Sequence, residues 1–250
     1  MTPPAGSRDT RPWARELKFL APVGDAPAIR AWMRHTLAAD PHGIGPHHDE
    51  YDISTIYFDT DDHDVFNRRG SFGRAKLRIR RYGRSFTVFL ERKLRTDGML
   101  AKRRTPVRLT ELDRLTLPLD KGWDGHWFHK RLLKRGLTPA TQMTYHRVAR
   151  SAQHVDGYVR VTMDSDLRVQ PAYGFAFSEE RGTLIAPDRV IVEVKFQGPE
   201  PDALHELQRM FRLQPQSVSK YRLGAGALGV EPAEPPAPPS AASLSLGDPS

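Results

Sequence analysis

Lysine and arginine recur at every second position in one segment of this chain. Lys76, Arg78 and Arg80 alternate there with the aliphatic residues Leu77 and Ile79. Because neighbouring side chains of a β-strand point to opposite faces, this spacing predicts a strand with one cationic and one apolar face. The planar guanidinium group of arginine donates two parallel hydrogen bonds, a geometry that matches phosphate. The segment therefore predicts a surface that binds a phosphorylated anion.

Carboxylates join the cations in four other segments that show the same alternation. The charged positions there are Glu16 and Lys18, Glu91 and Lys93, Arg160 and Asp164, and Glu193 and Lys195. Carboxylates without a neighbouring His or Cys are typical ligands of Mg²⁺ or Mn²⁺. Phosphate-binding cations beside metal-binding carboxylates predict a phosphate chain with a bound divalent metal.

Two arrangements could produce these charged faces. A solvent-exposed face is normal in an antiparallel sheet and explains any single strand. Five such strands favour a closed barrel with a charged interior, where each charge needs a partner because burying it alone costs several kcal/mol. The expected interior has eight cations and four carboxylates: Lys18, Lys76, Arg78, Arg80, Lys93, Arg147, Arg160 and Lys195 against Glu16, Glu91, Asp164 and Glu193. The excess of cations predicts a polyanionic ligand.

The elements that position these residues are mainly strands. Segments that are rich in β-branched and aromatic residues and bounded by turn residues predict eight strands, at 13–20, 51–59, 74–82, 85–95, 99–109, 142–150, 157–166 and 189–197. Capping residues and apolar spacing predict three helices, at 25–39, 125–135 and 202–212. Eight strands with helices around them indicate an α+β fold built on a mostly antiparallel sheet or barrel.

The composition excludes several classes of protein. The 250 residues include 38 Lys and Arg, 30 Asp and Glu and no cysteine, which gives a net charge of +8. The absence of cysteine excludes a disulfide scaffold, a thiolate zinc site and a cysteine nucleophile. No apolar run approaches the roughly 18 residues of a membrane span, and the N-terminus lacks a secretory signal, so we expect a cytoplasmic protein. We expect disorder in 1–12 and in the Pro-rich 231–250, which leaves 13–230 as the folded domain.

An ordered set of motifs resembles a known family. The motifs are RELKF (15–19), STIYFDT (54–60), KLRIRRY (76–82), FLERK (89–93), YHRVAR (145–150), VRVTMDSDL (159–167), VIVEVKF (190–196) and SVSKYRLG (217–224). They resemble the polyphosphate polymerase domain of the vacuolar transporter chaperone (VTC) complex, and more closely its stand-alone bacterial versions. The resemblance implies an eight-stranded antiparallel β tunnel with charged walls and flanking helices, of the triphosphate-tunnel, CYTH-like superfamily.

The resemblance also implies a reaction and a set of site residues. The end of a growing inorganic polyphosphate chain would attack the γ-phosphate of ATP and release ADP, with Mn²⁺ or Mg²⁺ as cofactor. The implied metal ligand is Glu193, with Glu91 as a second candidate. The implied catalytic residues are Lys18, Arg78, Arg80, Lys93, Arg147, Ser219 and Lys220, and the substrate-binding residues are Lys76, Arg160, Lys195 and Glu16.

The first strand departs from the signature of the wider superfamily, which is E-x-E-x-K. Ala14 stands at the first glutamate position, and only Glu16 and Lys18 remain. Hydrolases that resemble the superfamily generally use both glutamates to place metal and water. Ala14 therefore favours the polymerase over a hydrolase of tripolyphosphate, thiamine triphosphate or a nucleoside triphosphate.

A non-catalytic polyanion-binding or nucleic-acid-binding module is the remaining alternative. The stretch from Arg68 to Arg104 holds fourteen Lys or Arg residues and only two acids, which suits phosphate contacts. Many of these cations, however, alternate with aliphatic residues and accompany acids that a nucleic-acid surface does not need. We therefore expect ATP and inorganic polyphosphate as partners, and no nucleic acid. The run Lys102-Arg103-Arg104 is either a solvated strand end or a guide for anions toward the tunnel mouth.

Overall fold

The structure is a computed structural model that describes residues 15–40, 43–96, 99–154 and 157–233. The termini that the sequence predicts to be disordered lie outside these ranges, except for residues 231–233. The start of the predicted first strand, residues 13 and 14, also lies outside them.

Eight long strands form one antiparallel sheet, as the sequence predicts. They are β1 (Arg15–Pro22), β3 (Glu50–Asp59), β4 (Ala75–Tyr82), β5 (Thr87–Thr96), β6 (Met99–Arg108), β7 (Thr138–His154), β8 (Gly157–Pro171) and β10 (Arg189–Phe196). Two-residue strands, β2 (Ala38–Ala39) and β9 (Thr183–Leu184), pair with β7 and β8. Strands β7 and β8 run beyond their predicted ends because they pair with each other over most of their length.

Helices flank this sheet. In the described residues they are α1 (Ala26–Thr36), α2 (Asp64–Asn67), α3 (His126–Lys134), α4 (Asp202–Met210) and α5 (Lys220–Ala227). Three of them, α1, α3 and α4, confirm the three predicted helices with shorter bounds. Short 3₁₀ helices occupy Val23–Asp25, Gly70–Gly73 and Leu109–Thr116. None of the helices in the described part of the chain is long and apolar enough to cross a membrane.

Helix α5 was not predicted, and its packing explains why it forms. Its sequence, KYRLGAGA, contains two glycines, each of which weakens an isolated helix by about 1 kcal/mol. One of them, Gly224, allows a close approach to the sheet, because a Cβ there would lie 2.9 Å from Val169 Cγ2 and 3.0 Å from Met143 Sδ. Tyr221 and Ala225 on the same helix are buried. Tertiary packing therefore stabilises a segment whose local propensity is weak.

The sheet curves until its two edge strands approach each other. The strand order is β1-β10-β8-β7-β3-β4-β5-β6, with every neighbouring pair antiparallel. Edge strands β1 and β6 come close together, but no ladder of backbone hydrogen bonds joins them in the described residues. An ion pair between Lys93 of β5 and Glu16 of β1, 2.7 Å long, spans this seam. The tunnel is thus an open sheet closed by side chains, and not a barrel with a continuous ladder.

The apolar faces of the strands point outward and lie beneath the helices. Buried residues of α1 and α4, including Met33 and Leu207, pack with Phe19, Val161 and Val192 of the sheet. A second apolar cluster joins α3 to β4 and β5. Burying one such side chain contributes about 1.5–3 kcal/mol, so this packing determines which face is inside. The charged faces therefore line the interior, which confirms the α+β tunnel fold and excludes an ordinary solvated face.

Candidate active site

The charged residues of the tunnel interior are buried. Glu91 and Asp164 are 0% exposed, and Arg80 and Arg147 are each 5% exposed. Burying a charge is costly unless an opposite charge or a hydrogen bond offsets the cost. The interior accordingly divides into three clusters, each built around carboxylates.

The first cluster is centred on Asp164 of β8. Its oxygens accept hydrogen bonds of 2.5 and 2.7 Å from Arg147 of β7, and Lys220 Nζ lies 2.5 Å away at the first residue of α5. Burial raises the pKa of Asp164, but Arg147 and Lys220 outweigh it and lower the pKa to about 2. The ionised carboxylate thereby fixes both cations in position. The sequence pattern predicts neither the pairing of Asp164 with these two cations nor helix α5, which begins at Lys220.

The second cluster is centred on Glu91 of β5. Arg78 donates a 2.7 Å hydrogen bond to it, and Lys102 and Arg104 of β6 lie 2.7 and 3.2 Å from its other oxygen. Burial raises the pKa of Glu91, and these cations hold it well below its usual value. Lys102 and Arg104 are thus interior residues, whereas Arg103 between them stacks on an outer ring, that of Trp127.

The third cluster holds two carboxylates side by side, Glu16 of β1 and Glu193 of β10. Lys93 Nζ lies 2.7 Å from Glu16, Lys195 Nζ lies 2.5 Å from Glu193, and Lys18 contacts both at 3.2 and 3.6 Å. Burial and the neighbouring Glu193 raise the pKa of Glu16, but the three lysines lower it to about 2. Burial in turn lowers the pKa of Lys93 to about 7.

Two further arginines point into the interior beside tyrosines. Arg80 donates to Tyr145 Oη at 3.0 Å, and no carboxylate in the described residues forms an ion pair with it. Arg160 donates to Tyr51 Oη at 2.8 Å and to Asp40 at 2.5 Å. The phenol group of Tyr145 thus orients Arg80 without cancelling its charge, which leaves that positive charge available to an anion, whereas Asp40 neutralises Arg160.

A segment before α5 covers one end of the tunnel. The backbone N–H of Gln216 donates to the carbonyl of Lys18 at 2.7 Å, and Lys18 Nζ donates to the carbonyl of Val218 at 3.3 Å. Lys76 Nζ donates to Ser219 Oγ at 2.7 Å. Burial, with help from nearby cations, lowers the pKa of Lys76 to about 7. This segment brings Ser219 and Lys220, far away in sequence, to the strands that carry the other candidates.

Every residue that the sequence nominated therefore faces this interior. Asp164 is in the interior as predicted, and the structure adds Lys102, Arg104 and Asp40, so the described residues place eleven cations against five carboxylates, an excess of six. The cations are Lys18, Lys76, Arg78, Arg80, Lys93, Lys102, Arg104, Arg147, Arg160, Lys195 and Lys220. The excess is larger than the alternation alone predicts.

A comparison of the sequence with models of protein families identifies its family. The model of the VTC domain matches residues 14–228. The chain belongs to the VTC domain family. This confirms the resemblance that the ordered motifs indicate.

Solved structures with a similar outline are distant in sequence. The PH1819 protein from Pyrococcus horikoshii is 14% identical, with a TM-score of 0.44 over 83% of this chain and 97% of its own. HpAC1 from Hippeastrum, described as having a dominant triphosphatase activity, is 14% identical, with a TM-score of 0.45 over 86% of this chain and 96% of its own. No curated protein sequence matches the chain.

The VTC domain interior offers one pair of carboxylates to a metal. Glu16 and Glu193 lie side by side, whereas the second metal candidate, Glu91, lies in a different cluster among three cations. The described residues contain no group of three or more His, Asp or Glu that could hold a metal alone. Mg²⁺ is usually bound by one or two carboxylates together with substrate phosphates. The carboxylate pair fits a divalent metal that arrives with a phosphate substrate.

Sequence reasoning missed the inward placement of Lys102 and Arg104, although a signal for it exists. Strands β5 and β6 form a hairpin, and its register places Lys102 opposite Lys93 and Arg104 opposite Glu91. Directly opposite residues of a hairpin share a face. A register count gives this result only when Thr96 is paired with Met99, because pairing residue 95 with residue 99 would place Arg103 opposite Glu91 instead. The roles of Tyr51 and Tyr145 had no comparable signal.

Proposed function

We propose that this VTC domain protein is a metal-dependent polyphosphate polymerase that uses ATP. A terminal phosphate oxygen of the polyphosphate chain attacks the γ-phosphorus of ATP, the bond from that phosphorus to the β-phosphate oxygen breaks, and ADP leaves. The observation that supports the proposal is the buried interior with an excess of six cations beside the carboxylate pair Glu16 and Glu193. An interior with this much positive charge suits ATP and a polyphosphate chain bound end to end better than one small anion.

The chain's own residues supply alignment and charge. Phosphoryl transfer requires neutralisation of the equatorial oxygens more than covalent help from the protein. Arg147 and Lys220, fixed by Asp164, are held in place before substrate binds, so little reorganisation is needed. Arg78 and Arg80 on β4 face the same space and bind phosphates of nucleotide or chain. No general base is required, because a terminal phosphate is already an anionic nucleophile.

The metal and the remaining candidates have separate tasks. Glu193, together with Glu16, would hold Mn²⁺ or Mg²⁺, which would neutralise charge on the phosphate oxygens. Lys18, Lys93 and Lys195, which surround this pair, bind substrate phosphates beside it. Ser219, which already accepts from Lys76, orients a phosphate oxygen at the covered end of the tunnel. Glu91 holds Arg78, Lys102 and Arg104 in position, and its nomination as a second metal ligand stays a prediction.

The test is a polymerisation assay. The protein is incubated with ATP and Mn²⁺, with and without a short polyphosphate primer, and the products are separated on a gel stained for polyphosphate while ADP is measured. We expect a ladder with matching ADP release. Free orthophosphate without a ladder would indicate a tunnel hydrolase, and the absence of nucleotide turnover would indicate a polyanion-binding module.

The decisive variant is Glu193→Gln. It keeps the shape of the side chain but removes the charge that would hold the metal, so turnover should fall by roughly 100-fold or more. Binding of metal-free tripolyphosphate should persist, because the cations remain. The matched control is Glu179→Gln, on an exposed carboxylate that pairs with Arg81 outside the tunnel. Unchanged Mn²⁺-dependent turnover in Glu193→Gln would remove Glu193 from the mechanism.

A further inference from the structure

A groove on the outer wall of the tunnel is lined by four arginines. It has a volume of about 340 Å³ and lies where β4 and β5 meet α3. Arg92 on β5 points outward between the inward residues Glu91 and Lys93. The other arginines are Arg74 before β4 and Arg131 and Arg135 of α3 and its end. The groove is thus on the opposite face of the wall from the candidate active site.

The arginines of this groove form no salt bridges with described carboxylates, although Asp64 is an acidic neighbour of Arg135. No carboxylate in the described residues forms an ion pair with Arg74, Arg92, Arg131 or Arg135. Burial and the neighbouring Arg131 lower the pKa of both Arg92 and Arg135. Arg92 Nε is buried and has no hydrogen-bond partner within the described part of the chain. Like charges packed together with an unsatisfied donor are costly, and a bound anion would offset that cost.

Residues close to the groove in the sequence also contact the segment that covers the end of the tunnel. Arg74 precedes the interior residue Lys76 by two positions, and its carbonyl accepts from the backbone N–H of Arg95 at 2.8 Å. Beside them Arg68 donates to Ser217 Oγ, and burial, Arg222 and Arg95 lower its pKa. Cations without carboxylate partners in the described residues therefore extend from Lys76 around the rim to the outer groove.

The aromatic rings beside the groove are already covered. The Arg135 guanidinium lies 3.9 Å from the centre of the Phe72 ring and also donates to Ser71 Oγ at 2.9 Å. The Arg103 guanidinium lies 4.2 Å from the centre of the Trp127 ring on the adjacent strand. Proteins that bind single-stranded nucleic acid offer free rings on which bases stack. The groove offers guanidinium groups instead, which favours a chain of phosphates without bases.

We propose that this groove is a second binding site for inorganic polyphosphate, which holds the part of a long chain that extends beyond the tunnel. That the ligand is polyphosphate rests on the proposed function, but binding of polyphosphate at the groove requires no catalytic turnover. Guanidinium groups of Arg74, Arg92, Arg131 and Arg135 donate to successive phosphates of the chain. Long polyphosphate chains contact both the tunnel and the groove, whereas tripolyphosphate fits within the tunnel. Long chains should therefore bind more tightly than tripolyphosphate.

The test compares the binding of long-chain polyphosphate and tripolyphosphate by calorimetry, without nucleotide or metal. The variant Arg74→Gln/Arg131→Gln should weaken long-chain binding by roughly tenfold or more and reduce the slope of log affinity against log salt by roughly two. Tripolyphosphate binding should be unchanged, which also shows that the variant is folded. Arg92→Gln, on the rigid strand β5, is a second variant with the same expected direction.

The matched control is Lys130→Gln/Lys134→Gln, which removes the same charge from the exposed side of α3. An equal loss in this control would mean that net charge alone acts, and would overturn the proposal. Equal affinity of the unaltered protein for short and long chains would also overturn it. A homopolymeric RNA whose binding depends on Arg74 and Arg131 while polyphosphate binding does not would assign the groove to nucleic acid instead. The two proposals can fail separately. If the protein makes no polyphosphate but the groove variant still loses the tighter binding of long chains, the binding site is supported and only the polymerase proposal fails.

Discussion

Binding of a triphosphate should draw protons into the tunnel. Burial lowers the pKa of Lys76 and of Lys93 to about 7, and that of Lys102 to about 8. At pH 8 Lys76 and Lys93 are therefore largely neutral in the free protein, and Lys102 is about half protonated. A phosphate anion beside an amine favours its charged form, so binding raises each pKa again. The protons that restore the charge come from solvent.

The size of the uptake follows from these pKa values. A lysine with a pKa near 7 is protonated roughly one-tenth of the time at pH 8, so Lys76 and Lys93 each take up roughly 0.9 proton, and Lys102 adds roughly half a proton. The total is roughly two protons per ligand at pH 8 and falls toward zero near pH 6. These lysines take up protons on binding and do not release them, because they hold fewer protons in the free protein than in the complex. Affinity should therefore decrease as pH rises above about 7, through the range in which these lysines lose their protons.

The measurement is isothermal titration calorimetry with tripolyphosphate and no metal, in buffers with different ionisation enthalpies at pH 8. The slope of the observed heat against buffer enthalpy gives the number of protons taken up. Protons exchanged by the ligand's own phosphates are common to all the titrations, so the difference between the unaltered protein and a variant reports the substituted lysine. Lys76→Gln and Lys93→Gln should each reduce the uptake by roughly 0.9 proton, and Lys130→Gln, on the exposed surface, should not. An uptake that neither interior variant reduces by at least roughly half a proton would refute this account of the site.

Two further substitutions test the interior, in addition to those at Glu193 and at the outer groove. Asp164→Asn should lower the free energy of unfolding, measured in urea, by about 3–5 kcal/mol, because two buried cations lose their carboxylate. Saturating tripolyphosphate should restore part of that loss, whereas Asp166→Asn, on an exposed carboxylate, should change stability by less than about 0.5 kcal/mol, and equal effects would contradict the cluster. Arg80→Ala should weaken tripolyphosphate binding by roughly tenfold, while Arg81→Ala, on the outer side of the same strand, should not. Unaltered binding in Arg80→Ala would place Arg80 outside the phosphate path.

The sequence predicted which residues share a face, because side-chain alternation is a local property of a strand. Lys76, Arg78 and Arg80 had to fall on one side of their strand once it formed, and Leu77 and Ile79 on the other. The same rule placed Glu193 beside Lys195. The sequence also predicted the eight long strands, three of the helices and, through its ordered motifs, the VTC domain family.

The sequence predicted less well where the pattern is weak or the partner is distant. Helix α5 forms because Gly224 packs against Met143 and Val169, although its own residues favour a helix poorly. The inward position of Arg104 depends on its register opposite Glu91. Local propensity carries no information about either contact.

Tertiary structure alone decided which charge pairs with which. Asp164, Arg147 and Lys220 come from β8, β7 and α5, and only the folded chain brings each of the two cations to 2.5 Å from Asp164. The outward packing of the helices turned the charged faces inward, and the approach of β1 to β6 brought Lys93 to Glu16. The sequence by itself determined the chemical character of each strand face through alternation. The geometry of the charges depended on contacts between residues far apart in the chain, which form only when the apolar faces are buried beneath the helices.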